Sequence, residues 1–501
     1  MSVFPQALLR AFEAIPNVPA FEYGPRVVTR GDVLKLISVY VGALRATDAS
    51  LGPGCGIAIY TGVTPEAFAV QIAAHVLGLR VIGLKPGMAA DLSNIIADAR
   101  LLVVDKATSP DIDSSLPVAL KIVQLEDLQG SPVAITSQGR LQDVALVLYT
   151  SGTTGGPKGV ECTYQALTGS WAWQRSVWDQ RTEEMAAKYQ RFMLFGTLAS
   201  TVMFEHLGLC LTGGGTAVIP NQPAALLQFP CVLADLRISA VLFTVPRLYH
   251  VLEVLRAEVN INLSYIQSIV ISGSPLPPQK LRAAIKLFGD SVHNGYGMSE
   301  TGLVCLLSAA DVAAHPKAVE AVGRAWTGVE LQVRDGDGSP VPVGTVGHVW
   351  VKSLGSFSGY TNEDSSIVLD AGGWVWTRDL GALDEDGLLY LTGRARDIVI
   401  INANVYYAGV IENALASHPD VDAAFVVSVP SSKTGEAAAA FVTAVNGQIP
   451  DLDALRVLVK ERIGPAAVPV SITVIDSVPI APSGKPDKQA LLNMPLDKNR
   501  S

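Results

Sequence analysis

The sequence predicts an α/β protein, in which layered and largely parallel sheets form a large N-terminal domain and a small, mobile α+β domain follows. Short β-rich runs such as "GIAIY", "VALVLY" and "SIVISG" alternate with longer amphipathic stretches such as "TPEAFAVQIAAHVLG". This alternation is typical of parallel sheets covered by helices. A chain of 501 residues also exceeds the size of a single hydrophobic core, so we expect at least two domains.

The elements change character along the chain, and these changes set the predicted boundaries. After about Ala321, Gly- and Pro-rich hairpins in "VELQVRDGDGSPVPVGTVGHVWVKS" predict a β-rich subdomain over about 321–395. After "GRARD", strand patterns such as "AAFVVSVP" and helix patterns such as "DLDALRVLVKERIG" predict a smaller unit. We therefore expect residues 1–395 and 396–501 to form the two domains.

The composition argues against several classes of function. Hydrophobic residues make up 49% of the chain, and a net charge of −9 without basic runs argues against nucleic-acid binding. The five cysteines are scattered without a CxxC pair, which argues against a disulfide framework or a structural zinc site. The N-terminus has the pattern of a surface helix rather than a signal peptide, and no apolar run reaches the ~18 residues of a membrane span. We expect a cytoplasmic protein.

A glycine-rich loop follows directly after the apolar run "VALVL". The stretch "LYTSGTTGGPKGV" (148–160) combines four glycines with hydroxyl side chains and one lysine. Glycine loses much conformational entropy when it becomes ordered, so such a loop is most useful where backbone N–H groups wrap a phosphate. The P-loop NTPase pattern does not fit, because Pro157 precedes Lys158 and Gly159 follows it.

Four segments, taken in order, resemble the adenylate-forming superfamily of acyl-CoA synthetases, acyl-AMP ligases and peptide-synthetase adenylation domains. They are "SGTTGGPKG", "NGYGMSETG", "GWVWTRDLGALDEDGLLYLTGRARD" and "PIAPSGKPDKQAL". The resemblance implies that a carboxylate attacks the α-phosphate of ATP to give acyl-AMP and pyrophosphate. A phosphopantetheine thiol of CoA or of a carrier protein then displaces AMP. A carboxylate is already a nucleophile, so the first step needs charge neutralisation and alignment rather than a general base.

The resemblance also implies which residues bind the nucleotide. The glycine-rich loop wraps the triphosphate, Tyr296 stacks on adenine, and Asp379 accepts the ribose hydroxyls beside Arg394. The complete set is Thr150, Ser151, Gly152, Thr153, Thr154, Lys158, Ser272, Gly273, Ser274, Asn294, Gly295, Tyr296, Gly297, Asp379 and Arg394.

Three further residues match catalytic positions of the superfamily. Glu300 corresponds to the glutamate that binds Mg²⁺, Ser299 to a hydroxyl that contacts phosphate, and Lys485 to a lysine that reaches the reacting carboxylate from the small domain. Taken alone, the Ser299–Glu300 pair could equally be the cap of a helix. Arg396 falls on the hinge about which the small domain turns. A nucleotide-binding protein without catalysis is the alternative from another class, and the retained Glu300 and Lys485 argue against it.

The sequence departs from the superfamily pattern in ways that leave the acceptor open. Arg378 occupies the glycine position of a TGD signature, so only the role of Asp379 carries over. Asn402 and Ala403 replace a Gly-Gly pair that lines the pantetheine tunnel of acyl-CoA synthetases. The alternative to a CoA ligase is an acyl-AMP ligase or stand-alone adenylation enzyme that loads a carrier protein in polyketide or nonribosomal peptide biosynthesis.

A last departure concerns the acid pocket, which the resemblance assigns to Phe195, Gly196, Gly297 and Met298. Gly196 stands where peptide-synthetase domains carry an aspartate that pairs with the substrate ammonium. Burying an unpaired ammonium costs several kcal/mol, so we predict a small-molecule acid with an uncharged tail. A shift of several residues in this segment would bring Glu205 to the same position.

Overall fold

The structure, a computed structural model, is organised by three β-sheets of thirteen, seven and five strands. It describes residues 2–85, 92–96, 98–112, 116, 120–150, 158–222, 226–257, 261–361, 363–394, 397–401, 404–431, 433–480 and 486–494. This mixed α/β architecture, with a separate C-terminal sheet, confirms the predicted fold class.

The described strands are β1 (Pro19–Tyr23), β2 (Arg26–Thr29), β3 (Gly56–Tyr60), β4 (Arg80–Gly83), β5 (Ala99–Val104), β6 (Lys121–Gln124), β7 (Val144–Thr150), β8 (Lys158–Thr163), β9 (Arg191–Met193), β10 (Thr216–Ile219), β11 (Ala240–Phe243), β12 (Ser268–Ile271), β13 (Val292–Met298), β14 (Gly302–Ser308), β15 (Gly323–Ala325), β16 (Val329–Arg334), β17 (Gly347–Ser353), β18 (Gly359–Tyr360), β19 (Val375–Leu383), β20 (Leu388–Arg394), β21 (Ile398–Ile401), β22 (Asn404–Tyr407), β23 (Val421–Ser431), β24 (Gly435–Ala444) and β25 (Ser471–Ile475).

The described α-helices are α1 (Gln6–Ala14), α2 (Arg30–Thr47), α3 (Pro65–Val76), α4 (Leu92–Ile95), α5 (Tyr164–Gly169), α6 (Gln180–Lys188), α7 (Thr201–Thr212), α8 (Cys231–Asp235), α9 (Val245–Ala257), α10 (Pro278–Phe288), α11 (Ala309–Ala314), α12 (Ala408–Ala416), α13 (Leu452–Arg462) and α14 (Lys488–Leu492). Among the described residues, no helix combines the length and apolar character needed to cross a bilayer.

The seven-stranded sheet has the order β18-β8-β7-β4-β3-β5-β6. Its strands from β7 to β6 run parallel, and β8 returns antiparallel to β7. Helix α3 covers this sheet and begins where its sequence directs: the Thr64 hydroxyl accepts the Ala67 N–H, and Pro65 occupies the first turn. All twelve residues of α3 except Glu66 are buried, which explains its continuous apolar pattern.

The thirteen-stranded sheet joins a parallel half to an antiparallel half. Strands β1 and β9 to β13 pair in parallel, and β14 then turns back along β13 to lead into the hairpins of β15 to β20. The short strand β18 lies between these hairpins in sequence but pairs with β8 of the other sheet. It therefore brings residues 359–361 to the place where the two large sheets meet.

The C-terminal sheet is built from β21 to β25, with α12 and α13 among its helices. An ion pair between Lys280 of α10 and Asp422 of β23 connects this part of the chain to the large sheets. The Lys280 ammonium also lies 4.4 Å from the ring centroid of Tyr249. The predicted boundary at 395/396 falls outside the described residues, so the domain division stays a prediction.

Candidate active site

The glycine-rich loop connects β7 and β8, and β8 lies beside β18 at the junction of the two large sheets, which we term the cleft. Thr150 ends β7 and Lys158 begins β8, and the two residues stand opposite each other in the antiparallel register. The loop itself, with Ser151, Gly152, Thr153 and Thr154, lies outside the described residues. The described residues on either side of the loop therefore lie on adjacent antiparallel strands.

Four side chains at this cleft form what we term the lysine cluster: Lys158, Glu300, Tyr360 and Glu363. Lys158 Nζ lies 2.6 Å from Glu363 Oε2 and 5.6 Å from the ring centroid of Tyr360. The Tyr360 hydroxyl donates a hydrogen bond of 2.7 Å to Glu300 Oε1. Burial and the neighbouring Glu300 carboxylate raise the pKa of Tyr360, so its hydroxyl remains a donor. The lysine and the glutamate expected to act on phosphate and Mg²⁺ therefore share Tyr360 as a neighbour.

Three residues of the thirteen-stranded sheet form what we term the aspartate cluster: Tyr296, Asp379 and Arg394. Asp379 on β19 stands opposite Arg394 on β20, and Arg394 Nε lies 3.3 Å from Asp379 Oδ1. The Tyr296 hydroxyl donates a 2.6 Å hydrogen bond to Asp379 Oδ2. Asp379 is only 7% exposed. Burial raises its pKa, while the Arg394 charge and the Tyr296 hydrogen bond act in the opposite direction.

Arg378 lies next to Asp379 and links the two clusters. Its φ of +63° is in the left-handed region, where the glycine of the superfamily pattern would be unstrained. The side chain is half-buried, and its charge lowers the pKa of Tyr360. The guanidinium is therefore close enough to the lysine cluster to add positive charge there.

The remaining residues expected at the nucleotide base lie on two adjacent strand ends. Ser272, Gly273 and Ser274 follow β12, and Asn294 of β13 stands opposite Ile271 of β12. Gly273 has a φ of +98°, and the space where its side chain would be is open. Gly295 and Gly297 continue β13, and a Cβ atom at Gly297 would collide with the backbone of Gly302. Open space is therefore present at Gly273, whereas the backbone at Gly297 packs closely against the next strand.

Ser299 lines a cavity of about 40 Å³ between α5, α7 and the strands of the seven-stranded sheet. Most of its lining is apolar, including Leu146, Leu148, Phe204 and Phe357. Glu205 of α7 also lines it, and its Oε2 accepts the Leu303 N–H at 3.2 Å. Burial raises the pKa of Glu205 to about 8.

The residues expected to form the acid pocket are not among those that line this cavity. Phe195 packs against Phe229 with ring centroids 5.6 Å apart. Gly196 is exposed, with a φ of +87° and no atom within 4 Å of the position of a Cβ. Met298 ends β13 opposite Gly302. The assignment of Phe195, Gly196, Gly297 and Met298 to the pocket therefore stays a prediction.

Lys485, Arg396, Asn402 and Ala403 lie outside the described residues. Lys488 is placed, and its ammonium lies 2.8 Å from Glu412 and 3.2 Å from Asp397. In the part of the chain that the structure describes, no three His, Cys, Asp or Glu side chains are grouped to hold a metal ion. Any cation at Glu300 would take its other ligands from elsewhere.

Comparison with known proteins decides the family. Residues 8–361 match the AMP-binding enzyme family, and residues 410–485 match the AMP-binding enzyme C-terminal domain. The chain belongs to the AMP-binding enzyme family. It is an AMP-forming ligase of the acyl-CoA ligase type, as the four sequence segments predict.

The relatives of this AMP-binding enzyme differ in the acceptor that their names imply. A medium/long-chain fatty acid–CoA ligase of Mycobacterium tuberculosis is 28% identical over 97% of this chain and 88% of its own length. A fatty acid–[acyl-carrier-protein] ligase of Streptomyces coeruleorubidus is 31% identical over 68% of this chain and 65% of its own.

A solved structure is similar over nearly the whole chain. The amide bond synthetase McbA from Marinactinospora thermotolerans has a TM-score of 0.82 and 29% identity, and the match covers 97% of this chain and 99% of that one. The names of these relatives thus span CoA, carrier-protein and amide-forming enzymes.

Sequence reasoning did not identify Tyr360 and Glu363. Tyr360 is 60 residues from Glu300, and Glu363 is 205 residues from Lys158. Their contacts depend on the pairing of β18 with β8, which joins distant parts of the chain and leaves no local pattern. A tyrosine directly after a glycine in a strand-like stretch was the available signal, and it is too common to be decisive.

Proposed function

We propose that this enzyme is an ATP-dependent carboxylic acid–thiol ligase, which forms an acyl-AMP and then passes the acyl group to a phosphopantetheine thiol. One observation carries the proposal. A buried carboxylate suited to ribose hydroxyls, Asp379, belongs to one large sheet, and a cation suited to phosphate, Lys158, belongs to the other. Arg378, the neighbour of Asp379, acts on Tyr360 beside Lys158, so a nucleotide bound between the sheets could contact both clusters.

In the first half-reaction, an oxygen of the substrate carboxylate forms a bond to the α-phosphorus of ATP, and the bond from phosphorus to pyrophosphate breaks. Asp379 orients the ribose, and the Arg394 charge opposes the rise in the pKa of Asp379 that burial causes. The ring of Tyr296 would stack on adenine once ribose hydroxyls take over its hydrogen bond to Asp379. Lys158 and Lys485 offset the charge that accumulates on the phosphates.

Mg²⁺ fits the residues at the phosphate end. This ion keeps several waters and binds proteins through one or two carboxylates together with substrate phosphates, so a single glutamate is sufficient. Glu300 supplies the carboxylate, and the hydroxyl of Ser299 is adjacent. When bound, the ion would neutralise charge on the phosphate oxygens. Tyr360 fixes the direction of the Glu300 carboxylate through its hydrogen bond.

In the second half-reaction, a thiol sulfur attacks the acyl carbon, AMP leaves, and the thiol proton passes to solvent. The superfamily resemblance implies that the small domain turns about Arg396 between the steps. Asn402 and Ala403 favour the phosphopantetheine of a carrier protein over CoA. We keep the cytoplasm as the expected location, where ATP and such acceptors occur together.

The test is acid-dependent ATP–pyrophosphate exchange over a panel of carboxylic acids, followed by CoA, a carrier protein with its phosphopantetheine, or an amine as acceptor. Lys485→Ala should reduce exchange at least about 10²-fold, because the lysine offsets charge in the adenylation geometry. Thioester formation from supplied acyl-AMP should persist. Equal impairment of both steps would contradict the assigned role of Lys485, and amide formation without thioester formation would exclude a thiol acceptor.

A further inference from the structure

The cavity beside Ser299 contains polar side chains that the chemistry of adenylation does not require. Thr201 and Glu205 are four residues apart on α7 and therefore project from one face of that helix toward the cavity. Trp173 lines the same cavity and packs at a tilt against Phe204, with ring centroids 4.5 Å apart. The cavity thus combines an apolar wall with a polar side built mainly from one helix.

The Glu205 carboxyl is held in a space that the fold leaves for it. Oε2 accepts the Leu303 N–H, and a side chain on Gly302 would collide with Oε1. Gly302 has a φ of +67°, so glycine suits both its conformation and its contact with Glu205. No group in the described part of the chain donates a hydrogen bond to Oε1. Glu205 keeps some accessible surface, and the cavity is the space that it lines.

Two other polar atoms at the cavity lack partners. The Thr201 hydroxyl and the Trp173 indole N–H are both buried, and neither is hydrogen-bonded within the described structure. Trp173 is only 2% exposed. An unsatisfied buried polar group costs about 1–3 kcal/mol, so spare hydrogen-bonding capacity on three residues that line one cavity indicates a missing polar partner. A cavity of about 40 Å³ has room for the end of a substrate tail.

We propose that the acid activated by this enzyme carries a hydroxyl group on an otherwise apolar tail, and that Glu205, Thr201 and Trp173 bind this hydroxyl. A hydroxyl both donates and accepts, so it can accept from the protonated Glu205 carboxyl or the indole N–H and donate to the Thr201 hydroxyl. The apolar lining suits the rest of the tail. The inference rests on the proposed function, since it names the substrate class of that site.

The state of Glu205 favours a hydroxyl over an amine. Burial is the main cause of its raised pKa, and the Leu303 N–H only partly opposes it. With a pKa of about 8, the free carboxyl is mostly protonated at neutral pH and offers hydrogen bonds rather than a counter-charge. An ammonium in the cavity would first have to ionise Glu205 and would then be buried with it.

The experiment compares matched acids in pyrophosphate exchange: octanoic acid with its ω-hydroxy and ω-amino derivatives, and phenylpropanoic acid with its para-hydroxy derivative. Equivalent pairs are made for any better tail that the wider panel identifies. The enzyme should prefer the hydroxylated member of the best pair by about tenfold or more in kcat/KM. The acid without the hydroxyl would leave the polar groups of the cavity without hydrogen-bond partners. Glu205→Leu should remove most of this preference, Thr201→Val part of it, and Glu205→Gln little of it.

The control is Glu184→Gln, which changes an exposed glutamate on α6 and should leave the preference unchanged. Melting curves establish whether each variant folds. If Glu205→Leu does not fold, Thr201→Val and Glu205→Gln still test the proposal. Exchange with several acids but no hydroxyl preference would overturn this inference alone. If the amino derivative gave the highest rate and Glu205→Gln abolished that rate, the inference would be wrong. Glu205 would then bind a substrate ammonium as its ion-pair partner. Exchange with no acid would instead overturn the proposed function.

Discussion

The aspartate cluster and the lysine cluster are built in different ways. Asp379, Arg394 and Tyr296 belong to strands of one sheet, and the first two are opposite each other in the register. The lysine cluster joins two sheets, because Tyr360 of β18 donates its hydrogen bond to Glu300, which follows β13. Its ion pair is partly open to solvent, since the side chains of Lys158 and Glu363 are 16% and 41% exposed.

This difference indicates how each half of a nucleotide would be received. The ribose hydroxyls have to displace only the Tyr296 hydroxyl, since Arg394 already balances Asp379. The phosphates have to displace Glu363 from Lys158. Exposed ion pairs are worth about 0–1 kcal/mol, so this displacement is inexpensive for a ligand with several negative charges. The groups expected to bind the nucleoside are thus already in place, whereas Lys158, expected to bind phosphate, is occupied by a weak ion pair.

The largest expected effect comes from the fixed cluster. Asp379→Asn should raise KM for ATP about 10²-fold, because hydrogen bonds to a charged acceptor contribute about 1.5–3 kcal/mol each and two would be lost. Pyrophosphate exchange measured against ATP concentration provides the test. Asp337→Asn, at an exposed turn, is the matched control. An unchanged KM for ATP would mean that Asp379 does not bind the ribose.

An intermediate effect is expected where the two sheets share Tyr360. Tyr360→Phe removes the hydrogen bond to Glu300 Oε1 and leaves the ring in place. Loss of a group that orients a metal ligand typically reduces metal affinity 10–100-fold, so the Mg²⁺ concentration for half-maximal exchange should rise about tenfold. Tyr265→Phe, on an exposed ring, serves as the control. The same Mg²⁺ dependence in both variants would exclude a positioning role for Tyr360.

The smallest effect should come from the exposed pair and should have the opposite sign. Glu363→Gln frees Lys158, so KM for ATP should fall about two- to fivefold at low salt. The fall in KM should be smaller at high salt, since salt screens the Lys158–Glu363 ion pair that competes with ATP in the unmodified enzyme. Titration of ATP at two ionic strengths measures both effects. Weaker ATP binding in Glu363→Gln would show that Glu363 contributes to the site rather than competing for Lys158.

The sequence predicted those parts of the molecule that depend on local patterns. The runs "GIAIY" and "SIVISG" correspond to β3 and β12, and "TPEAFAVQIAAHVLG" contains α3, because apolar strands and capped helices have short-range signatures. The resemblance also directed attention to Asp379 and Arg394, which the structure places in contact. Their roles toward ATP stay predictions.

The contacts that the sequence did not predict depend on distant pairing or on burial. Tyr360 reaches the cleft only because β18 pairs with β8. Glu205 stands in a helix that otherwise reads as core, and nothing in its neighbours along the chain shows that its carboxyl meets Gly302 and Leu303. Short strands such as β9, with three residues, are also too brief to carry a periodic pattern.

The left-handed backbone at Arg378 has a consequence for folding. A side chain in this conformation costs about 1–2 kcal/mol relative to glycine, which is a noticeable fraction of the 5–15 kcal/mol that separates folded from unfolded chains. Arg378→Gly should therefore raise the denaturation midpoint while it removes positive charge next to Asp379, and adenylation should slow. Denaturant unfolding and exchange rates measured on the same preparations would show both changes. At this position the chain gives up part of its resistance to unfolding and places a positive charge that acts on Tyr360.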